Sequence, residues 1–125
     1  MKKILIVEDD RNIAAALAVR LTAAGHDVHT SFDGHEGLLA AVRHQPDLII
    51  SDIWMPEPMG FLGQQRLAAL GLAGVPVIYM TACKKTDLRQ IAEEEGAYAF
   101  FEKPYDAEEL LATVTQALSE TRVAV

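Results

Sequence analysis

The chain alternates between two kinds of apolar pattern. Short aliphatic and β-branched runs are typical of buried strands, whereas apolar residues spaced three to four positions apart are typical of helices that bury one face. Ile13, Leu17 and Leu21 show the helical spacing. The pattern predicts strands at Ile4–Val7, Val28–Phe32, Leu48–Ser51, Val75–Thr81 and Tyr98–Phe101. Each is followed by a predicted helix, at Arg11–Ala24, Gly34–His44, Gly60–Leu70, Lys84–Glu95 and Ala107–Glu120.

The order of these elements predicts the fold. Five repeats of strand then helix indicate an α/β fold, a doubly wound five-stranded parallel sheet with helices on both faces. Gly25, Gly71 and Gly96 stand where helix C-caps are expected. The 125 residues have the length of one domain. We place that domain at residues 1–120 and a short C-terminal tail at 121–125.

Charge and cysteine content limit the classes of function and the cellular location that the chain can have. The 11 basic and 18 acidic residues leave a formal charge of −7, which argues against direct nucleic-acid binding and against docking on an anionic membrane. A single cysteine, Cys83, excludes an internal disulfide and fits a reducing compartment. The first apolar run stops at Glu8, too soon for a signal peptide, and no stretch has the length of a membrane span. We expect a cytoplasmic protein.

Acidic residues follow two of the predicted strands. Glu8, Asp9 and Asp10 follow the first, and Asp52 follows the third. Parallel strands end at the same edge of a sheet, so these carboxylates are expected to lie close together and to repel one another without a cation. Oxygen ligands favour a hard divalent ion, so the sequence predicts a site for Mg²⁺ or Mn²⁺.

Three residues at strand ends have both a structural and a chemical interpretation. Asp52 is either a turn or helix-capping residue or a nucleophile that forms an acyl phosphate. Lys103, fixed by Pro104, is either an ordinary surface lysine or an ammonium placed over the acid cluster. Thr81 is either a β-branched strand residue or a hydroxyl that donates to a phosphoryl oxygen. We expect Lys103 to be a cation at the exposed rim, whose loss removes little packing.

In order, these motifs resemble the receiver domain of bacterial two-component response regulators, in a single-domain form similar to the chemotaxis regulators. The resemblance spans essentially the whole chain. It implies the flavodoxin-like strand order 2-1-3-4-5. The motifs that carry it are Ile-Leu-Ile-Val-Glu-Asp-Asp at 4–10, Asp52 ahead of Met55-Pro56, Thr81-Ala82 and Lys103-Pro104.

The resemblance also implies roles. Asp52 would be the phosphoacceptor, taking its phosphoryl group from a histidine kinase or a histidine phosphotransfer protein. Lys103 would pair with the phosphoryl oxygens, and Thr81 and Phe100 would form the switch. The module would not be an enzyme, although it would help to catalyse its own phosphorylation and dephosphorylation. The implied metal ligands are Glu8, Asp9, Asp52 and the backbone carbonyl of Trp54.

The implied output is a protein contact or onward phosphotransfer, because no helix-turn-helix or catalytic domain follows the last predicted helix. A downstream protein would bind the face formed by the fourth predicted helix, the fifth strand and the fifth helix. Asp10 is expected to cap the first helix rather than to bind metal.

The loop after Asp52 departs from the family pattern, because Pro58 stiffens it and Met59 replaces the usual aspartate. Trp54 and Cys83 follow Asp52 and Thr81 by two residues and are expected to modulate access of water to the pocket. The alternatives are that Trp54 is a partner-binding anchor and that Cys83 is a small, partly buried residue.

Other functions stay open. The chain is alternatively a receiver excised from a multidomain regulator or hybrid kinase. A small Mg²⁺-dependent phosphohydrolase with an aspartate nucleophile would need an acid where Trp54 stands. A degenerate receiver that serves only as a scaffold conflicts with the intact strand-end residues. The four histidines, His26, His29, His35 and His44, show no metal-ligand spacing.

Overall fold

The computed structural model describes residues 2–52, 64–72, 74–81, 90, 92–94 and 96–120. The strands are β1 (Lys3–Val7), β2 (Asp27–Ser31), β3 (Leu48–Asp52), β4 (Val77–Thr81) and β5 (Ala99–Glu102). The helices are α1 (Arg11–Ala23), α2 (Gly34–His44), α3 (Gln64–Ala69) and α4 (Ala107–Ser119). Helix α4 is the fifth helix of the sequence prediction. Most of the fourth predicted helix lies outside the described residues, and its described part, residues 90 and 92–94, is helical.

The described strands form one parallel sheet in the order β2-β1-β3-β4-β5. This order confirms the predicted doubly wound fold. The chain runs outward from β1 in one direction to β2 and then crosses back to β3. In open α/β sheets a binding crevice forms beyond the carboxyl ends of the strands where the order reverses, which here is between β1 and β3.

Apolar side chains of the sheet pack in two clusters, one on each face, because successive strand residues point to opposite sides. Helices α1 and α4 cover one face, and α2 and α3 cover the other. The first cluster includes Ile4, Ile6, Leu17, Ile50, Met80, Leu110 and Val114. The second includes Leu5, Val7, Ala41, Ile49, Leu67, Val77 and Tyr79. Both faces of the central strands are therefore buried.

The predicted helix ends are present. Asp10 caps α1, and its Oδ1 accepts hydrogen bonds from the backbone N–H groups of Asn12 and Ile13 at 2.9 and 3.1 Å. Gly25, Gly71 and Gly96 have φ values of +96°, +78° and +81°. At each of them two successive N–H groups donate back to carbonyls of the preceding helical turn, which is the Schellman arrangement.

Helix α2 lies very close to the end of β1. A Cβ atom on Gly37 would lie 2.9 Å from Cγ2 of Val7. A residue with a Cβ atom at this position would therefore force α2 or Val7 to move, and Val7 directly precedes Glu8.

None of the helices among the described residues combines the length and apolar character that crossing a bilayer requires.

Candidate functional site

Four strand ends deliver the polar residues of the site to one edge of the sheet. Glu8 follows β1, Asp52 ends β3, Thr81 ends β4 and Lys103 follows β5. Strand register aligns these ends, with Val7 opposite Ser51, Asp52 opposite Met80, and Thr81 opposite Glu102. The structure thus brings together the residues that the sequence predicted to meet.

Lys103 connects two of the carboxylates. Its Nζ donates to Oδ2 of Asp52 at 3.0 Å and to Oε1 of Glu8. Only 11% of the Lys103 side chain is exposed, so the expectation of an exposed rim cation is wrong. Its backbone N–H donates to the carbonyl of Thr81 at 2.7 Å, and the Lys103–Pro104 peptide is cis. Continued pairing with β4 holds the residue at the sheet edge, where its side chain reaches the acids.

Glu8 is completely buried, and its Oε2 accepts a hydrogen bond from the N–H of Asp10 at 3.0 Å. Burial raises the pKa of Glu8 to about 7, even though the bonds from Lys103 and Asp10 favour the ionised form. The nearby charge of Asp52 adds to the rise. For Lys103, burial lowers the pKa, but the hydrogen bonds to both carboxylates outweigh it and leave the pKa above the ordinary lysine value.

The acid cluster fits a divalent metal. Glu8, Asp9 and Asp52 each offer one carboxylate oxygen, and the three oxygens lie within 4.8 Å of one another. Such an all-oxygen set suits Mg²⁺ or Mn²⁺ better than zinc. Asp9 is exposed whereas the other two are buried, so the cluster borders solvent on the Asp9 side. A small ion that keeps part of its water shell needs such access.

Thr81 and Phe100 lie on neighbouring strands and on the same face of the sheet. Thr81 is fully buried at the end of β4. Phe100 is partly buried, lies opposite Tyr79 in register, and packs against the cluster that contains Tyr79. The two positions are therefore diagonal neighbours on that face of the sheet.

Trp54, with its backbone carbonyl, and Cys83 lie outside the described residues, as do Met55 to Met59.

A cleft beside Lys103 was missed in the sequence. It has a volume of about 460 Å³ and is lined by Ile13 and Ala16 of α1 and by Lys103, Pro104 and Tyr105. The sequence signal was the run of small and apolar residues in α1, which extends onto positions that face solvent. Lys103 lines the cleft and also contacts Glu8 and Asp52 of the acid cluster, so the two are contiguous.

Comparison with known proteins identifies the family. The profile of the response regulator receiver domain matches residues 4–115. The DNA-binding dual master transcriptional regulator RpaA of Synechocystis sp. is 38% identical over 122 residues, which are 97% of this chain and 51% of RpaA. The response regulator ArlR of Staphylococcus aureus is 37% identical over 119 residues, 91% of this chain and 51% of ArlR.

Comparison with solved structures supports the same family. The receiver domain of Francisella response regulator 1452 superposes with a TM-score of 0.83 at 26% identity, covering 98% of this chain and 100% of that one. The Vibrio cholerae chemotaxis protein CheY4 superposes with a TM-score of 0.79 at 30% identity, covering 94% and 98%. The chain spans about half the length of the curated relatives it matches. It belongs to the response regulator receiver domain family, the signalling modules of two-component systems, as its strand-end motifs predicted.

Proposed function

We propose that this receiver accepts a phosphoryl group on Asp52 from a histidine kinase or histidine phosphotransfer protein, and that the modification changes a protein-binding face. The observation that carries the proposal is the contact of the Lys103 ammonium with both Asp52 and Glu8 in the acid cluster. A partly buried ammonium that already contacts the acceptor carboxylate is placed to pair with an incoming phosphoryl oxygen.

The transfer is a displacement at phosphorus. One Asp52 oxygen forms a bond to phosphorus, and the bond from phosphorus to the donor imidazole nitrogen breaks, with its electron pair staying on that nitrogen. Glu8, Asp9, Asp52 and the Trp54 carbonyl are the groups that would hold Mg²⁺ or Mn²⁺, which supplies neutralisation of phosphoryl charge when bound.

Lys103 and Thr81 would stabilise the product. The Nζ of Lys103 lies 3.0 Å from Oδ2 of Asp52, so it needs little movement to pair with a phosphoryl oxygen on that residue. The hydroxyl of Thr81, at the end of the adjacent strand, would donate to another phosphoryl oxygen. In this way the module contributes catalysis to its own phosphorylation.

The phosphodonor would dock in the cleft beside Lys103. Ile13, Ala16 and Tyr105 offer an apolar seat for side chains of a donor helix, and Lys103 lines both this seat and the acid cluster. A donor held there brings its phosphohistidine to the edge of the sheet where Asp52 lies.

The output face would be formed by β5, α4 and the fourth predicted helix. Support comes from Thr81 and Phe100, which link the phosphoacceptor edge to the β5 side of the sheet. Residues 1–120 would form the receiver, with 121–125 as its tail. Since the relatives are about twice as long, we propose that the receiver would work equally as one part of a longer regulator, whose remaining part would then be the partner.

The decisive experiment is incubation with acetyl phosphate and Mg²⁺, followed by intact mass. The parent protein is expected to gain one phosphoryl group, and Asp52→Asn is expected to gain none. Asp47→Asn is the matched control, since Asp47 lies just before β3 and its Oδ2 accepts a bond from the N–H of Lys3 far from the cluster. An adduct in Asp52→Asn, or equal phosphorylation with the metal chelated, contradicts the proposal.

We also propose that Trp54 and Cys83 set the lifetime of the phosphorylated state, because hydrolysis needs a water in line behind phosphorus. Neither side chain orients water as a carboxylate or amide does. Trp54→Asn is therefore expected to accelerate loss of the phosphoryl group after the donor is removed. Equal or slower decay in the variant would instead favour Trp54 as a partner-binding residue.

A further inference from the structure

Two histidines join the edge strand to the end of a helix. His29 lies in the middle of β2, and His44 is the last residue of α2. Their imidazole rings stack, with centroids 3.7 Å apart and planes inclined by only 13°. The pair lies apart from the acid cluster, because His29 is opposite Leu5 in register, two residues before the carboxyl end of the strand.

The geometry of the stack does not suit a shared metal ion. The lone pair of an imidazole nitrogen lies in the plane of its ring, and in nearly parallel rings these lone pairs point side by side rather than toward one ion. In addition, Nε2 of His29 lies 3.4 Å from Oδ2 of Asp27. The pair is better explained as an element that responds to protons.

Charged groups surround the pair on every element packed against it. On β2, the Asp27 carboxylate forms an ion pair with His29 whenever that ring is protonated. On β1, Nζ of Lys3 donates to the His44 carbonyl at 3.2 Å, and on α2 Arg43 precedes His44. The Asp47 carboxylate, before β3, is engaged by the Lys3 N–H at 2.8 Å.

Burial, together with this surrounding charge, makes a proton on His44 unfavourable. Partial burial lowers the pKa of His44, and the charges of His29, Arg43 and Lys3 lower it further. Asp27 acts in the opposite direction, but it is already beside His29. A neutral ring stacks well on a neutral or a protonated one, whereas two imidazolium rings at this separation repel.

We propose that the His29–His44 stack is a proton-sensitive clasp between β2 and α2, closed while at most one ring is protonated and opened when both are. The clasp loosens as the pH falls through the ordinary histidine pKa of 6.5, because the unfolded or opened chain takes up the proton that the closed stack excludes. Its opening frees the carboxyl end of α2 from the edge strand of the sheet.

The clasp is tested by replacing one ring with an aromatic that cannot be protonated. His29→Phe keeps a ring for stacking but removes its charge, so the His44 imidazole is expected to titrate at a higher pH than in the parent, by about half a unit or more. Proton NMR of the imidazole resonances measures the midpoint. His35→Gln, on the first turn of α2, is the matched control and is expected to leave the His44 midpoint unchanged.

Amide hydrogen exchange tests the opening itself. In the parent, amides of residues 27–31 and 42–47 are expected to lose protection between about pH 7.5 and about pH 5.5, after correction for the intrinsic rate, while β3 and β4 keep theirs. His29→Phe and His44→Phe should each reduce this loss, because two charged rings can no longer face each other, so failure of one variant to fold leaves the other. An unchanged His44 midpoint in His29→Phe, or protection that does not depend on pH, overturns the proposal.

Discussion

At the scale of single residues, the site depends on how the charges of buried carboxylates are neutralised by Lys103. Lys103 contacts Glu8, which is fully buried, and Asp52, which is 4% exposed. A carboxylate at such a position is costly unless it is paired or protonated. The two ion pairs of Lys103 are therefore expected to contribute both to folding stability and to the proposed phosphoryl transfer. Adding a metal ion, which supplies another positive charge, separates these two contributions.

Replacing Lys103 with methionine is expected to lower the free energy of unfolding by about 3 kcal/mol in the presence of a chelator, because two buried carboxylates lose their cation. Excess Mg²⁺ should recover part of this loss by providing another positive charge. Urea denaturation with and without Mg²⁺ measures both values. Lys2→Met, at an exposed position, is the control and should change little. A fully stable Lys103→Met protein would show that the ion pairs contribute no net stability.

The raised pKa of Glu8 gives a pH dependence of defined sign. The unfolded chain loses this proton near pH 4.5, whereas the folded, metal-free protein holds it to about pH 7. Stability from this group therefore falls as the pH rises from 4.5 to 7, by up to about 3 kcal/mol. Glu8→Gln should remove this fall, which is read as the difference between the two unfolding curves in chelator. A parent and variant with parallel pH profiles would contradict the assignment.

At the scale of elements, the placement of α2 rests on Gly37. Alanine at this position would put a Cβ atom 2.9 Å from Val7 and force the helix away from β1, at about 1–3 kcal/mol. Gly25→Ala is the matched comparison, because there no heavy atom lies within 4 Å and only the positive φ of +96° is unfavourable, at about 1 kcal/mol.

The two variants differ in what they should do to the site. Gly37→Ala is expected to reduce the rate of phosphorylation by acetyl phosphate, because Val7 directly precedes Glu8, whereas Gly25→Ala should leave that rate unchanged. Denaturation and the phosphorylation time course provide the two measurements. Equal phosphorylation by both variants would show that the α2–β1 approach does not position the acid cluster.

Element types and order were predictable, because the five apolar runs and the capping glycines are local signals. The exact ends of the strands were less predictable. The run beginning at Val75 suggested a strand start there, but the Val75 N–H donates to Leu72 in a turn and β4 begins at Val77. Cross-strand pairing decides such boundaries. Likewise β5 continues to Glu102, one residue beyond its predicted end, because that residue still pairs with Thr81.

The candidate site was predictable to the extent that it follows strand ends. Carboxylates placed directly after buried strands must meet at the sheet edge, so Glu8, Asp9 and Asp52 were identified from position alone. The burial of Lys103 was not predictable, because it depends on the direction of a long side chain after β5. The His29–His44 stack was equally hidden, since it arises only when the end of α2 meets the edge strand.

At the scale of the whole molecule, the sheet connects the edge that carries Asp52, the proposed phosphoacceptor, to the β5 side. Asp52, Thr81 and Phe100 lie on three successive strands, and Thr81 and Phe100 share a face. Packed interfaces tend to change between discrete arrangements rather than deform gradually. A change at Asp52 is therefore expected to reach the β5 side before it reaches β2, which lies on the other side of β1.

Hydrogen exchange with and without beryllofluoride, a phosphoryl mimic, tests this direction. With Mg²⁺ present, protection is expected to change in residues 98–102 and in the fourth predicted helix, while β2 and α2 change little. Thr81→Ala should still bind the mimic but lose the change at residues 98–102, because it lacks the hydroxyl that we propose donates to the phosphoryl group. Thr115→Ala is the matched control, since its hydroxyl bonds only locally to the carbonyl of Leu111. Changes confined to α1 and α2, or an undiminished response in Thr81→Ala, would place the output on a different face.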